Sequence, residues 1–273
     1  MAKKKKIEED IKQENTTEQL PKIVMGLDIS TTCIGVCILE DDGSEYGKVL
    51  ELTHISPKVP RKIKGIKSLF LKKQIFKDEF LTKWKKFGIT KVVIEAPLLS
   101  SNNVNTVATL LQFNGMISDC VYEILGVVPD YITSYDARKY AFPSLSTIRK
   151  YNRNGEVYDN KKILSSIKNS KVVLFGGFMF DVDKKEIILS KVSEIFPNIN
   201  WIYDKKGSLI KENFDATDAY VACIGQLHFE KHGELKFNIK NINIKENIVE
   251  YNLYYWDKTE LRQTYLNEES KDI

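Results

Sequence analysis

Histidine and arginine are scarce in this chain, with three histidines and, among 41 basic residues, only Arg61, Arg138, Arg149, Arg153 and Arg262 as arginines. Cysteine is sparse as well. Cys33, Cys37, Cys120 and Cys223 all lie in apolar segments, and no two have the Cys-x-x-Cys spacing. This excludes a thiolate zinc site and a disulfide framework, and a reducing compartment is expected. Any metal should then be held by carboxylates. Long apolar runs are also missing: none approaches the roughly 20 residues of a membrane span, and MAKKKKIEED begins basic with no apolar segment behind it. Membrane insertion and secretion are not expected.

What is present is the balance of a folded domain: 273 residues, 42% hydrophobic and 29% charged. The net charge of +4 conceals an asymmetry. Between Lys58 and Lys91 twelve basic residues face two acidic ones, Asp78 and Glu79, so the remainder of the chain is acidic.

Residues 1–20 are polar and aperiodic and read as a mobile tail, with Lys3 to Lys6 a solvated run. From Lys22 the texture turns apolar. IVMGLDIS and CIGVCILEDDG predict two strands joined by a tight turn, and KVLELTHIS a third. Between about Lys62 and Phe87, Ile66, Leu69, Phe70, Phe76, Phe80, Trp84 and Phe87 recur at helical steps with lysines between them. That pattern predicts an amphipathic helix with a basic exterior. KVVIEAP predicts a buried strand ended by Pro97. A helix over 102–125, a strand near 127–133, and helices over 184–196 and 215–231 follow. Residues 136–180 read as an insertion and 234–273 as a β extension, leaving 21–233 as the main domain. This order predicts an α/β fold with a mixed sheet flanked by helices.

The acids stand out against this frame. Asp28 interrupts an apolar strand, Glu95 ends another, and Asp215 and Asp218 are spaced to share one face of the closing helix. Each has a structural alternative: Asp28 as a turn residue, Glu95 as a surface acid, Asp215 as a helix N-cap with Asp218 at N3. Taken together, four ionisable acids on three elements that can adjoin suggest a site, since carboxylates near a core are costly unless paired or metal-bound. With no histidine among them, they suit hard ions such as Mg²⁺ or Mn²⁺.

The succession GLDISTTCIGVCIL, then KVVIEAP followed by NNVNTVATLLQFNGMI, then DATDAYVACIGQLH, resembles the RuvC-like Holliday junction resolvases of the RNase H-like superfamily, especially their viral and phage members. The resemblance spans about 22–233. It implies an RNase H-like fold in which Asp28, Glu95, Asp215 and Asp218 are the catalytic and metal-ligating residues for two Mg²⁺ ions, with Mn²⁺ able to substitute. The implied activity is that of a crossover junction endodeoxyribonuclease, hydrolysing phosphodiesters to 5′-phosphate and 3′-hydroxyl ends. Two departures stand out. Leu98 occupies the place where bacterial members carry an aromatic, and the chain is longer than a bacterial resolvase.

The expected partner is branched DNA, above all the four-way junction, with phosphate contacts from Lys64, Lys67, Lys72, Lys73, Lys77, Lys83 and Lys85 of the basic helix. Arg138 joins them, and Lys184 and Lys185 match basic residues that the family places before its closing helix. A two-fold homodimer through the 102–125 helix would present two sites to the two scissile bonds. No membrane and no small-molecule substrate is expected, and the location is cytoplasmic, in the host if the chain is viral. Two other readings compete. GLDISTTCIGVCILEDDG also resembles the first phosphate-binding hairpin of actin-like ATPases and sugar kinases, though GGF at 176–178 is a poor adenosine loop. A nuclease of the same fold acting on replication or packaging intermediates would use the same acids.

Overall fold

The computed structural model describes residues 22–97, 103–143, 147–148, 175–177, 183–210, 212–243, 248–257 and 262–265. The expected tail, Leu98, Arg149, Arg153 and most of the expected insertion lie outside the described residues.

Five strands form the main sheet: β1 (Lys22–Ile29), β2 (Ile34–Asp41), β3 (Lys48–Ile55), β4 (Lys91–Glu95) and β5 (Asp130–Ile132), in the order β3-β2-β1-β4-β5. The first three pair antiparallel, while β4 runs parallel to β1 and β5 parallel to β4. The sheet is therefore mixed, as the order of elements in the sequence predicts. Its strands are apolar on both faces because both are covered. Ile23, Met25, Leu27 and Ile29 of β1, with Ile34, Val36 and Ile38 of β2 and Val92 and Ile94 of β4, enter one core. Val24, Cys37, Leu39 and Val93 enter the other. The two-residue period of a strand then places Asp28 on the face of Val24, and Glu95 on the face of Val93.

The first core is closed by α1 (Ile66–Ile75) and α2 (Val104–Leu125). Helix α1 starts after Gly65, later than the periodicity suggested. It continues through a π-helical segment, Phe76–Leu81, and further helical turns to Phe87. Asn103 caps α2 by accepting from the backbone N–H groups of Asn105 and Thr106.

The second core is closed by α3 (Ser134–Ala141), α4 (Lys184–Ile195) and α5 (Asn213–His232). Helix α3 occupies the start of the segment whose polar text, SYDARKYA, gave no helical stripe. It forms because Thr133 caps it and because Ala137, Tyr140 and Ala141 are buried against α5. Two short strands, β6 (Thr147–Ile148) and β7 (Phe175–Gly177), pair within the expected insertion. The C-terminal extension is an antiparallel sheet of β8 (Glu234–Asn243), β9 (Ile248–Asp257) and β10 (Arg262–Tyr265). Among the described residues no helix is long and apolar enough to cross a membrane.

Helix α5 lies unusually close to the sheet, and two strand glycines permit it. A Cβ on Gly26 would stand 2.1 Å from the carbonyl oxygen of Ala219, and one on Gly35 would stand 1.8 Å from that of Asp215. Gly35 is also the antiparallel partner of Asp28. Its missing side chain therefore sets the first turns of α5 directly over the end of β1.

Gly35→Ala should force α5 outward and destabilise the protein by about 1–3 kcal/mol, the usual penalty for overpacking. Gly115→Ala in α2, where a Cβ meets nothing within 4 Å, should be neutral or stabilising by up to about 1 kcal/mol. Urea unfolding of the two variants checks the contrast.

Candidate active site

Asp28 and Glu95 are neighbours because β1 and β4 are parallel and in register, with Leu27 opposite Ile94, so each acid follows its strand's last aligned pair. Asp215 and Asp218 come from the first turns of α5, whose N-cap is Glu212. Neither aspartate therefore serves as the cap that sequence pattern allowed. The true start is fixed by the buried Asn213, whose amide donates to the carbonyl oxygens of Ile202 and Ile210 and accepts from the N–H of Ile202. Asp28 lies within reach of the charges of the other three acids, and Glu95 within reach of those of Asp218 and Asp215. Burial, then the charges of Glu95, Asp218 and Asp215, raise the Asp28 carboxyl well above the usual carboxylate range. Burial first, then Asp218, pushes Glu95 up to about 7, with Arg138 and Lys185 pulling the other way.

Two cations enter this acid cluster. Arg138 Nη2 donates to Asp218 Oδ1 at 3.3 Å, and Lys185 Nζ lies 2.7 Å from Asp218 Oδ2. Arg138 gets there through a third close helix contact: a Cβ on Gly225 would meet the carbonyl oxygen of Ala137 at 2.5 Å, so α3 rests on the backbone of α5. Lys185 is placed by the N-cap of α4, where Asp183 accepts from the N–H groups of Lys185 and Glu186. Lys184, the first residue of that helix, is exposed. Cys33 is a further neighbour of the site. Burial, then its hydrogen bond to Asp215, pushes its thiol up to about 12. Its place in the turn after Asp28 was the one sign in the sequence.

The lysines of α1 divide into three groups. Lys64 and Lys67 are exposed near its start. Lys72 donates to the carbonyl oxygen of Thr31 in the turn after Asp28, Lys73 pairs with Asp119 at 3.8 Å, and Lys77 bonds Glu123. These three tie α1 to the β1–β2 turn and to α2. Lys83 and Lys85 are exposed, but the rise of a helix carries Lys85 about 20 Å beyond Lys72, toward the start of β4 and away from Glu95.

The chemistry of the donor set fits hard divalent ions, four carboxylates with no nitrogen ligand. The burial of Asp218 points the same way: its Oδ2 is met by the Lys185 ammonium at 2.7 Å, the kind of positive charge that a metal ion would also supply. As they stand, no three Asp, Glu, His or Cys side chains among the described residues converge closely enough to share an ion.

No family model and no curated protein matches the chain. Similar solved structures include RuvC from Thermus thermophilus in complex with a Holliday junction substrate, at 12% identity over 78% of this chain and 96% of that one, with a TM-score of 0.48. They also include the yeast mitochondrial Holliday junction resolvase Ydc2, at 12% identity over 78% and 82%, with a TM-score of 0.39. A ROK hexokinase from Thermus thermophilus is similar over 46% of this chain and 39% of its own, at 16% identity and a TM-score of 0.27. At these identities the likeness is one of fold alone.

Because Glu95 holds its proton to about 7 in the fold but to its ordinary 4.5 when unfolded, the native state binds more protons between those values. Stability in chelator should therefore fall as pH rises from 4.5 to 7. Glu95→Gln should flatten that fall, as read from urea midpoints across the window.

Proposed function

We propose that the chain is a metal-dependent, structure-selective endodeoxyribonuclease that resolves four-way junctions and other branched DNA. The observation that carries this reading is the gathering of Asp28, Glu95, Asp215 and Asp218 at one end of a mixed sheet, with Arg138 and Lys185 among them. Asp28 would serve two Mg²⁺ ions, or Mn²⁺ in their place, with Glu95 on one and Asp215 and Asp218 on the other. Such ions, when bound, supply an activated water and charge compensation for the leaving 3′ oxygen, which yields 5′-phosphate and 3′-hydroxyl ends. The protein's own part is to fix the carboxylates on rigid elements and to place Arg138 and Lys185 where a phosphate's charge must be offset. Lys64 just before α1, Lys67 in its first turn and Lys184 at the start of α4 are exposed and would extend the surface toward DNA.

A homodimer through α2 suits a substrate with two scissile bonds. Supporting it, Val104, Leu111 and Tyr122 are exposed on α2, and Ile66 and Phe70 on α1. The motif text alone supports a viral or phage type of resolvase. The kinase reading has less behind it, since the described residues hold one five-stranded mixed sheet rather than two similar halves.

A labelled four-way junction should be cut in Mg²⁺, spared in chelator, and preferred over linear duplex. Asp28→Asn, Glu95→Gln and Asp218→Asn should each slow cutting at least roughly 100-fold while junction binding persists. Near wild-type rates in any of the three would remove that residue from the ligand set.

Phosphate contacts give a second test. Lys64→Gln and Lys67→Gln should each lower the slope of log affinity against log salt by about 0.9, equally for junctions of different sequence. An unchanged slope in fluorescence anisotropy titrations would leave this helix merely solvated.

A further inference from the structure

Asp218 is the most deeply buried of the four acids, with its side chain 2% exposed, and it is held by cations from two different helices. Arg138 reaches it from α3 and is itself 15% exposed, with Nε buried and without a hydrogen-bond partner. Lys185 reaches it from α4 and is 42% exposed. The Asp218 oxygens that an ion would need are thus engaged by a guanidinium and an ammonium. An acid cluster this buried requires counter-charge whether or not a metal is present.

We propose that Arg138 and Lys185 are resident counter-ions of the metal-free site, which compete with the divalent ion for Asp218 and are released when it binds. This deepens the nuclease reading of the same carboxylates and rests on it. Metal loading and phosphate recognition are then ordered by charge. While both cations are on Asp218, neither is available to a DNA phosphate. Once the ion has taken Asp218, the site gains a guanidinium and an ammonium beside it whose partner has been withdrawn. The unpartnered Arg138 Nε is a donor that the contact with Asp218 leaves unused. Both are positioning residues in this step, acting through Asp218.

The test measures Mn²⁺ binding to the full chain without DNA, by calorimetry or electron paramagnetic resonance at fixed ionic strength. Arg138→Gln/Lys185→Gln should bind Mn²⁺ ~10-fold more tightly than wild type, since a charge-assisted competitor has been removed from each oxygen. Lys185→Gln alone, the milder change should the double variant fold poorly, should gain roughly threefold on the same grounds. Lys191→Gln, which removes an equal charge further along α4, should match wild type. In thermal melts the double variant should unfold at lower temperature than wild type in chelator, and saturating Mn²⁺ should close the gap. Equal Mn²⁺ affinity in wild type and double variant, or the same gain in Lys191→Gln, would overturn the proposal while leaving the nuclease reading intact. Mn²⁺ binding that is absent from the wild type, or unaffected by Asp28→Asn, would overturn both.

Discussion

The approach of α5 to the sheet, closer than any side chain would allow, is the contact on which the site depends. Gly26 and Gly35 remove two Cβ atoms from the face that α5 covers, and Gly225 removes a third on the side of α5 that meets α3. The first pair brings Asp215 and Asp218 down onto the strand ends that carry Asp28 and Glu95. The third brings the backbone of Ala137 against the same helix, so that the next residue, Arg138, reaches back to Asp218. Carboxylates and counter-charge are thus positioned by the absence of three side chains.

That closeness has an electrostatic cost that the fold distributes. Asp28 and Glu95 are driven toward protonation by burial and by their neighbours, and Asp218 is paired with two cations. Placing the charge balance on helices outside the sheet separates two demands. The strands and α5 position the acids, and α3 and α4 bring the counter-charge to them.

Much of the fold was legible because the sheet's period and the acids' positions share one rule. Asp28 interrupts one apolar strand and Glu95 ends another, and the three-residue spacing of Asp215 and Asp218 puts that pair on one face of α5; the parallel register of β1 and β4 then sets the two strand acids side by side. What the sequence conceals is set by contacts distant along the chain. Helix α3 has too few apolar residues to show a stripe, because small residues, Ala137 and Ala141, make its contact. The basic helix reads as uniformly solvated, yet Lys73 and Lys77 find Asp119 and Glu123 only because α2 folds alongside. For Cys33 the sequence offers only its place in the turn after Asp28, since its partner Asp215 lies at the other end of the domain.

The π-helical segment in the middle of that basic helix carries a consequence for how the chain tolerates change in length. At 3.6 residues per turn, Phe76 and Leu81 would point about 140° apart, yet both are fully buried in the same core. The wider turn between them brings Leu81 back onto the face of Phe76, and Trp84 follows in phase. The segment therefore has the form of a one-residue insertion already absorbed. Everything after it, through Ile89 and into β4, keeps its register with the sheet. Loss of a residue between Phe76 and Leu81 would restore an ordinary helix without moving Glu95.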